Sequence, residues 1–160
     1  MSTNPTGGIL LVEDNPDDAE LAVRAFRAGN VGPQIHVARD GTEAVDALFG
    51  SATSPAPRHL PGMVLLDLKL PGLDGFAVLS RIRAHPRTKF LPVIILTSST
   101  ELSDLIAGYR LGANSYVRKP ISFRDFIAAA KVIADYWLQL NELPPAGIVE
   151  RSSHAPAENT

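Results

Sequence analysis

Four short apolar runs in this chain each end in residues that can do chemistry. "GILLVED" ends in Glu13 and Asp14, "MVLLD" in Asp67, "LPVIILTSS" in Thr97-Ser98-Ser99, and "SYVRKP" reaches Lys119. Three carboxylates gathered in one place repel one another, and partial burial raises that cost. A divalent cation offsets the repulsion. Magnesium takes oxygen ligands, keeps several waters and binds only one or two carboxylates directly. Such an ion also neutralises the charge that develops on a transferring phosphoryl group. An Asp carboxylate is a known nucleophile toward phosphorus, giving an aspartyl-phosphate. Lys119 can pair with phosphate oxygens, and Thr97 offers a hydroxyl donor. The chemistry expected of these residues is phosphorylation of Asp67 beside a Mg2+ that Glu13 and Asp14 help to hold.

Convergence of these side chains depends on the elements that carry them. Ile9 to Val12 reads as a strand. "NPDDAELAVRAFRAGN" reads as a helix, with Pro16 at its first position, Asp17 and Asp18 in its first turn and Gly29 as its stop. Both Asp residues are read as helix-start acids rather than ligands. "QIHVA" (34–38) alternates as a strand, and 40–50 reads as a helix with Ala44, Val45, Leu48 and Phe49 on one side. Residues 51–62 are rich in Pro and Ser and read as a long loop. Strand 63–67, helix 74–85, strand 91–99, helix 101–113, strand 115–120 and helix 122–143 follow. Pro71 and Gly75 read as turn chemistry after Asp67. Ser122 and Asp125 have capping-box-like spacing, and Pro144-Pro145 stop the last helix.

Strands alternating with helices imply an α/β fold with a five-stranded parallel sheet covered on both faces. Right-handed crossovers narrow the topology. The expected order is 2-1-3-4-5, the flavodoxin-like arrangement, with an extended C-terminal helix. Ligands in such sheets sit outside the carboxyl ends of the strands at the switch point. That rim is where all four runs end. The expected organisation is a disordered leader over 1–8, one domain over 9–143 and a disordered tail over 144–160.

Composition sets outer limits. Net charge is −2, which argues against a nucleic-acid partner. With no cysteine there is no disulfide framework and no thiolate metal site. The start lacks the regions of a signal peptide, and no apolar stretch approaches the ~18 residues of a membrane helix. The expectation is a cytoplasmic protein without a membrane partner. His36, His59, His85 and His154 are scattered, lack metal-ligand spacing and read as structural or exposed.

"LLVEDN", "VLLDLKLPGLDG", "VIILTSS" and "GANSYVRKP" together resemble the four motif blocks of receiver domains in two-component response regulators. Any one block is weak, but all four stand in order, each at a strand end. The resemblance runs from about Ile9 to Asn141. It implies that Asp67 is the phosphoacceptor, Asp14 the direct metal-binding acid, and Glu13 a second acid acting through water. It implies that the backbone carbonyl of Lys69 is a third protein ligand to the metal. Thr97 and Tyr116 match the switch pair, and Lys119 matches the phosphate-pairing lysine, with a cis bond to Pro120. Glu13 replaces a commoner Asp and Ser98 a commoner Ala or Gly. Lys69 and Ser99 stand at positions that tune dephosphorylation in relatives. The loop at 51–62, "RTKFLPVIILTSS" and "YWLQLNELPP" are further similar to small stand-alone regulators paired with bacterial phytochrome kinases. No output domain fits after residue 143. The implied partner is a sensor histidine kinase of bacteriophytochrome type, and no turnover of an external substrate is expected.

Two other readings compete. An Asp-nucleophile phosphatase of the haloacid dehalogenase type also uses Asp and Mg2+ after a strand. It needs a second Asp two positions on, where this chain has Lys69. A phosphorylation-independent adaptor would be free to lose site residues, and this chain keeps the set.

The last helix carries a second signal. Phe126, Ala130, Ile133, Trp137 and Leu140 recur at steps of 4, 3, 4 and 3. That is a short seam of coiled-coil type. Packing on the chain's own sheet accounts for the first three better than for Trp137 and Leu140. The expectation is a homodimer through the fourth helix, fifth strand and last helix.

Overall fold

The computed structural model describes residues 7–29 and 34–145. Five strands, β1 (Gly7–Val12), β2 (Ile35–Ala38), β3 (Pro61–Leu66), β4 (Val93–Thr97) and β5 (Ser115–Arg118), form one sheet in the order β2-β1-β3-β4-β5. All pairings are parallel. The connecting helices are α1 (Pro16–Gly29), α2 (Gly41–Phe49), α3 (Gly75–Ala84) and α4 (Leu102–Arg110), and α5 (Phe123–Ala134) closes the series. This is the expected α/β architecture.

Alternation along the strands divides the core in two. Leu10, Val12, Val64, Leu66, Val93 and Ile95 face α2 and α3, meeting Ala44, Leu48, Val78, Leu79 and Ile82. Ile9, Leu11, Met63, Leu65, Ile94 and Leu96 face the other way, onto Ala22, Ala25 and Phe26 of α1 and Phe126, Ala130 and Ile133 of α5. The central strands are therefore buried on both faces, which is why β3 and β4 read as unbroken apolar runs.

Side-chain caps start the helices. Asn15 Oδ1 accepts from the backbone N–H groups of Asp17 and Asp18, Asp40 from Glu43, Asp74 from Ala77 and Ser122 from Asp125. Each satisfies donors that a first turn leaves open. At the edge of the sheet opposite the four polar strand ends, Arg83 ties three segments together. Its guanidinium donates to the carbonyls of Gly112 (2.8 Å), Leu91 (2.8 Å) and Lys89 (3.1 Å), and to Asn114 Oδ1 (2.8 Å). Asn114 Oδ1 also accepts from the N–H of Val93, where β4 begins.

Several boundaries differ from expectation. β1 begins at Gly7 and β3 at Pro61, each two residues early. Gly7 and Gly8 therefore belong to the sheet, while the rest of the leader (1–6) and residues 146–160 of the tail lie outside the described residues. Pro61 is tolerated because it is the first residue of its strand. The last helix does not run evenly to 143. It passes into a π-helical segment, Asp135–Leu140, closed by an Asn141 N–H to Tyr136 carbonyl bond. Bonds from i to i+5 change the angular step between residues. Phe126, Ala130 and Ile133 stay on the core side, Trp137 is half-buried and Leu140 is 73% exposed. The seam thus breaks before its last member. Among the described residues no peptide bond is cis. The Lys119–Pro120 bond is trans, contrary to the expectation, in keeping with the roughly 0.5–1 kcal/mol preference for trans before proline. His85 stacks on Phe49 with ring centroids 4.9 Å apart.

Candidate functional site

Ladder bonds carry the polar residues past the strand ends. The N–H of Glu13 donates to the Ala38 carbonyl (3.0 Å), that of Asp67 to Val12 (3.1 Å) and that of Lys119 to Thr97 (2.8 Å). Each backbone is thus held in register one residue beyond the last residue of its strand. The carboxylate oxygens of Glu13, Asp14 and Asp67 come within 4.8 Å of one another. Glu13 and Asp67 are 3% and 8% exposed, whereas Asp14 is open to solvent.

Lys119 enters this group from the end of β5. Its Nζ donates to Asp67 Oδ2 at 3.0 Å, to Asp18 Oδ2 at 3.3 Å and to Glu13 Oε1. Burial is the main force on Glu13. Helped by the neighbouring Asp67 carboxylate and only partly countered by Lys119, it pushes the carboxyl up to about 8. Burial also acts to raise Asp67, but its neighbour Glu13 and the Lys119 charge hold it below its ordinary value. At neutral pH the buried pair therefore carries one proton, on Glu13, opposite an ionised Asp67. Lys119 stays ionised: burial works against its charge, but its carboxylate partners raise its pKa above the ordinary value.

The group fits a hard divalent cation. All its donors are oxygens, the set that suits Mg2+ or Mn2+. Glu13 Oε2 is buried with no hydrogen-bond partner. A buried oxygen left so costs about 1–3 kcal/mol, and a cation among the three carboxylates would satisfy it.

The loop after Asp67 is shaped by close approach. A Cβ on Gly75 would lie 2.4 Å from the Asp67 carbonyl oxygen and 2.7 Å from Leu68 Cα. The Gly75 N–H donates to the Leu68 carbonyl at 3.1 Å. Asp67 Oδ1 accepts from the N–H of Lys69 at 3.3 Å, and the Lys69 side chain is exposed. Gly75→Ala must push the Asp67 backbone aside. The expected loss is about 1–3 kcal/mol of stability, measured as a lower denaturation midpoint, together with slower phosphoryl uptake.

Thr97 is fully buried at the end of β4. Its hydroxyl oxygen accepts from the N–H of Ser99 at 3.3 Å. Ser99 Oγ donates to Asp104 Oδ2 at 2.6 Å, and the Tyr116 hydroxyl donates to the Ser99 carbonyl at 3.4 Å. Ser99 thereby joins Thr97, Tyr116 and the first turn of α4. The structure brings together Glu13, Asp14, Asp67 and Lys119, with Thr97 and Tyr116 linked through Ser99. It adds Asp18, which sequence reasoning placed only in a helix cap. The available signal was topological: the first turn of a helix leaving β1 lies at the same rim.

A family profile described as "Response regulator receiver domain" matches residues 9–131. The chain belongs to the response regulator receiver family. It is 44% identical over 136 residues to a probable methanogenesis regulatory protein, FilR2, of Methanothrix harundinacea, covering 85% of this chain and 86% of that one. It is 35% identical over 145 residues to the response regulator Rcp1 of Synechocystis sp., covering 90% and 97%. A crystal structure of the Mn2+-bound form of Rcp1 superposes with a TM-score of 0.77 at 34% identity, over 87% of this chain and 99% of that one. The bacteriophytochrome response regulator AtBRR superposes with a TM-score of 0.68 at 43% identity, over 85% and 98%. The fold of this receiver thus agrees with that of phytochrome-associated relatives.

Proposed function

We propose that this receiver takes a phosphoryl group from a histidine kinase onto Asp67, with Mg2+, and relays the event through α4, β5 and α5. One observation carries the reading. Asp67 stands at the end of a buried strand with an oxygen 3.0 Å from Lys119 Nζ, inside a three-carboxylate group that could hold a cation. In the transfer an Asp67 oxygen bonds to phosphorus, the phosphorus–nitrogen bond of the kinase phosphohistidine breaks, and the imidazole keeps the electron pair. Lys119 supplies positive charge to the phosphoryl oxygens. Asp14, Asp67 and the Lys69 carbonyl would hold Mg2+, with Glu13 as the second acid, and the ion would supply positive charge to the transferring group. The Thr97 hydroxyl turns toward the phosphoryl group and Tyr116 follows, releasing the bonds at Ser99. Phosphate must favour one of the two arrangements for this to act as a switch.

Relatives named for phytochromes support a kinase of bacteriophytochrome type, and that pairing supports a cytoplasmic setting. No helix among the described residues is long and apolar enough to cross a membrane. Exposed apolar side chains support a homodimer through α4, β5 and α5 with the Trp137 region. They include Leu102, Ile106 and Tyr109 of α4, Val132 of α5, and Tyr136 and Leu140 beyond it. Protein, sensor kinase or a small phosphoramidate, and Mg2+ test the reading. Intact mass should show one added phosphoryl group, prevented by chelator. Light scattering should show twice the chain mass, and Ile106→Glu should lower it to that of one chain. An unlabelled protein would overturn the phosphoacceptor role, and a constant monomer would overturn the dimer.

A further inference from the structure

Lys119 has three partners, and they are not equivalent. An ammonium has three N–H donors, and here each faces a carboxylate: Glu13, Asp67 and Asp18. Glu13 and Asp67 belong to the group whose oxygens lie within 4.8 Å of one another, and Asp18 does not. A cation held in that group would compete with Lys119 for the oxygens of Glu13 and Asp67. Phosphorylation then removes the Asp67 carboxylate charge altogether. Asp18 is neither in the clustered group nor the residue phosphorylated, so neither event takes it from Lys119.

That place is well fixed. Asp18 lies in the first turn of α1, its N–H on Asn15 Oδ1 at 3.1 Å. The next turns are seated on the sheet by buried Ala19 and Ala22. The Lys119 side chain is 14% exposed and that of Asp18 46%. Asp18 therefore covers the ammonium on its solvent side. Without it, a flexible four-carbon stem would be free to follow water.

We infer that Asp18 is the positioning residue for Lys119, holding its ammonium beside the phosphoryl group when Glu13 and Asp67 are engaged elsewhere. This rests on the phosphoacceptor reading above. Asp17 provides an internal control. It has the same charge one residue earlier and makes no ion pair among the described residues.

The test compares the natural chain with Asp18→Asn, Asp18→Glu and Asp17→Asn. Phosphorylation by a small phosphoramidate is followed by intact mass at saturating Mg2+. Asp18→Asn should slow it about fivefold, the scale of a half-exposed charge pair. Asp18→Glu should restore most of the rate, and Asp17→Asn should match the natural chain. A second readout needs no phosphorylation. With Mg2+ bound, the NMR signal of the Lys119 ammonium should persist in the natural chain and broaden in Asp18→Asn through faster exchange with water. Equal rates for Asp18→Asn and Asp17→Asn, fast or slow, would overturn the inference, as would an unchanged ammonium signal. If the natural chain takes up no phosphoryl group, the phosphoacceptor reading falls, and the ammonium signal still decides what Asp18 does.

Discussion

Asp67→Asn takes up no measurable phosphoryl group under conditions that label the natural chain, a loss on the order of 10^6-fold, as for another removed nucleophile. The amide has nearly the shape of the carboxylate, so the strand end is undisturbed. What changes is chemistry. An amide oxygen is a poor nucleophile, and the site loses one of its three clustered carboxylates. The fold should not suffer. With Asp67 neutral, Glu13 loses the acidic neighbour that helps to raise it, and its pKa falls back toward 4.5. The expected pair of results is therefore no added mass and a melting temperature equal to or above that of the natural chain. Labelling of the variant at the natural level would sink the assignment. A loss of labelling accompanied by unfolding would leave Asp67 a structural residue.

The second large effect is on cation binding and pH. In the cation-free protein Glu13 holds a proton up to about pH 8, and a cation in the site requires it ionised. Binding then releases that proton. The apparent Mg2+ affinity should fall roughly fiftyfold between pH 8 and pH 6, because nearly a tenfold penalty accrues per unit below the pKa of about 8. Titration calorimetry in two buffers of different ionisation heat would measure both the affinity and the released proton. The same proton acts on stability with the opposite sense. Between about 4.5, where Glu13 ionises in the unfolded chain, and about 8, the folded chain retains a proton that the unfolded chain has given up. Stability in chelator should thus decline as pH rises through that window. Asp67 contributes the reverse: its lowered pKa favours the fold above 3.8, and that gain is lost as acid is added. Mg2+ should flatten the decline at the alkaline end. A Mg2+ affinity independent of pH would mean that Glu13 is already ionised in the cation-free protein.

The sheet order and the rim of polar residues could be read in advance because both follow from long patterns. Apolar runs of two-faced strands are distinctive, and each ends in a residue of unusual type. Asp18 is the helix-start acid it was read as, and its pair with Lys119 went unread because a first-turn Asp satisfies the helix dipole without further explanation. Only the placement of α1 against the end of β5 brings it to Lys119. The π-helical segment left no mark either, since residues 135–140 continue a helical spacing that an α-helix would have accepted. What broke the apparent seam was a backbone hydrogen-bond choice made by packing. The early start of β3 at Pro61-Gly62 was hidden by residues that normally signal loops.

The guanidinium of Arg83 has a mechanical consequence. It clamps Gly112 and Asn114, just beyond the C-terminal end of α4, to the start of β4. The other end of α4 is held by the Ser99–Asp104 bond, next to the residue proposed to turn. A rod of nine residues, about 13 Å long, pinned at one tip and released at the other, pivots rather than slides. Displacement then grows along its length, largest at Leu102, intermediate at Ile106 and least at Tyr109. Of the apolar side chains that α4 exposes, the one at the end held by the Ser99–Asp104 bond would then sweep the widest arc.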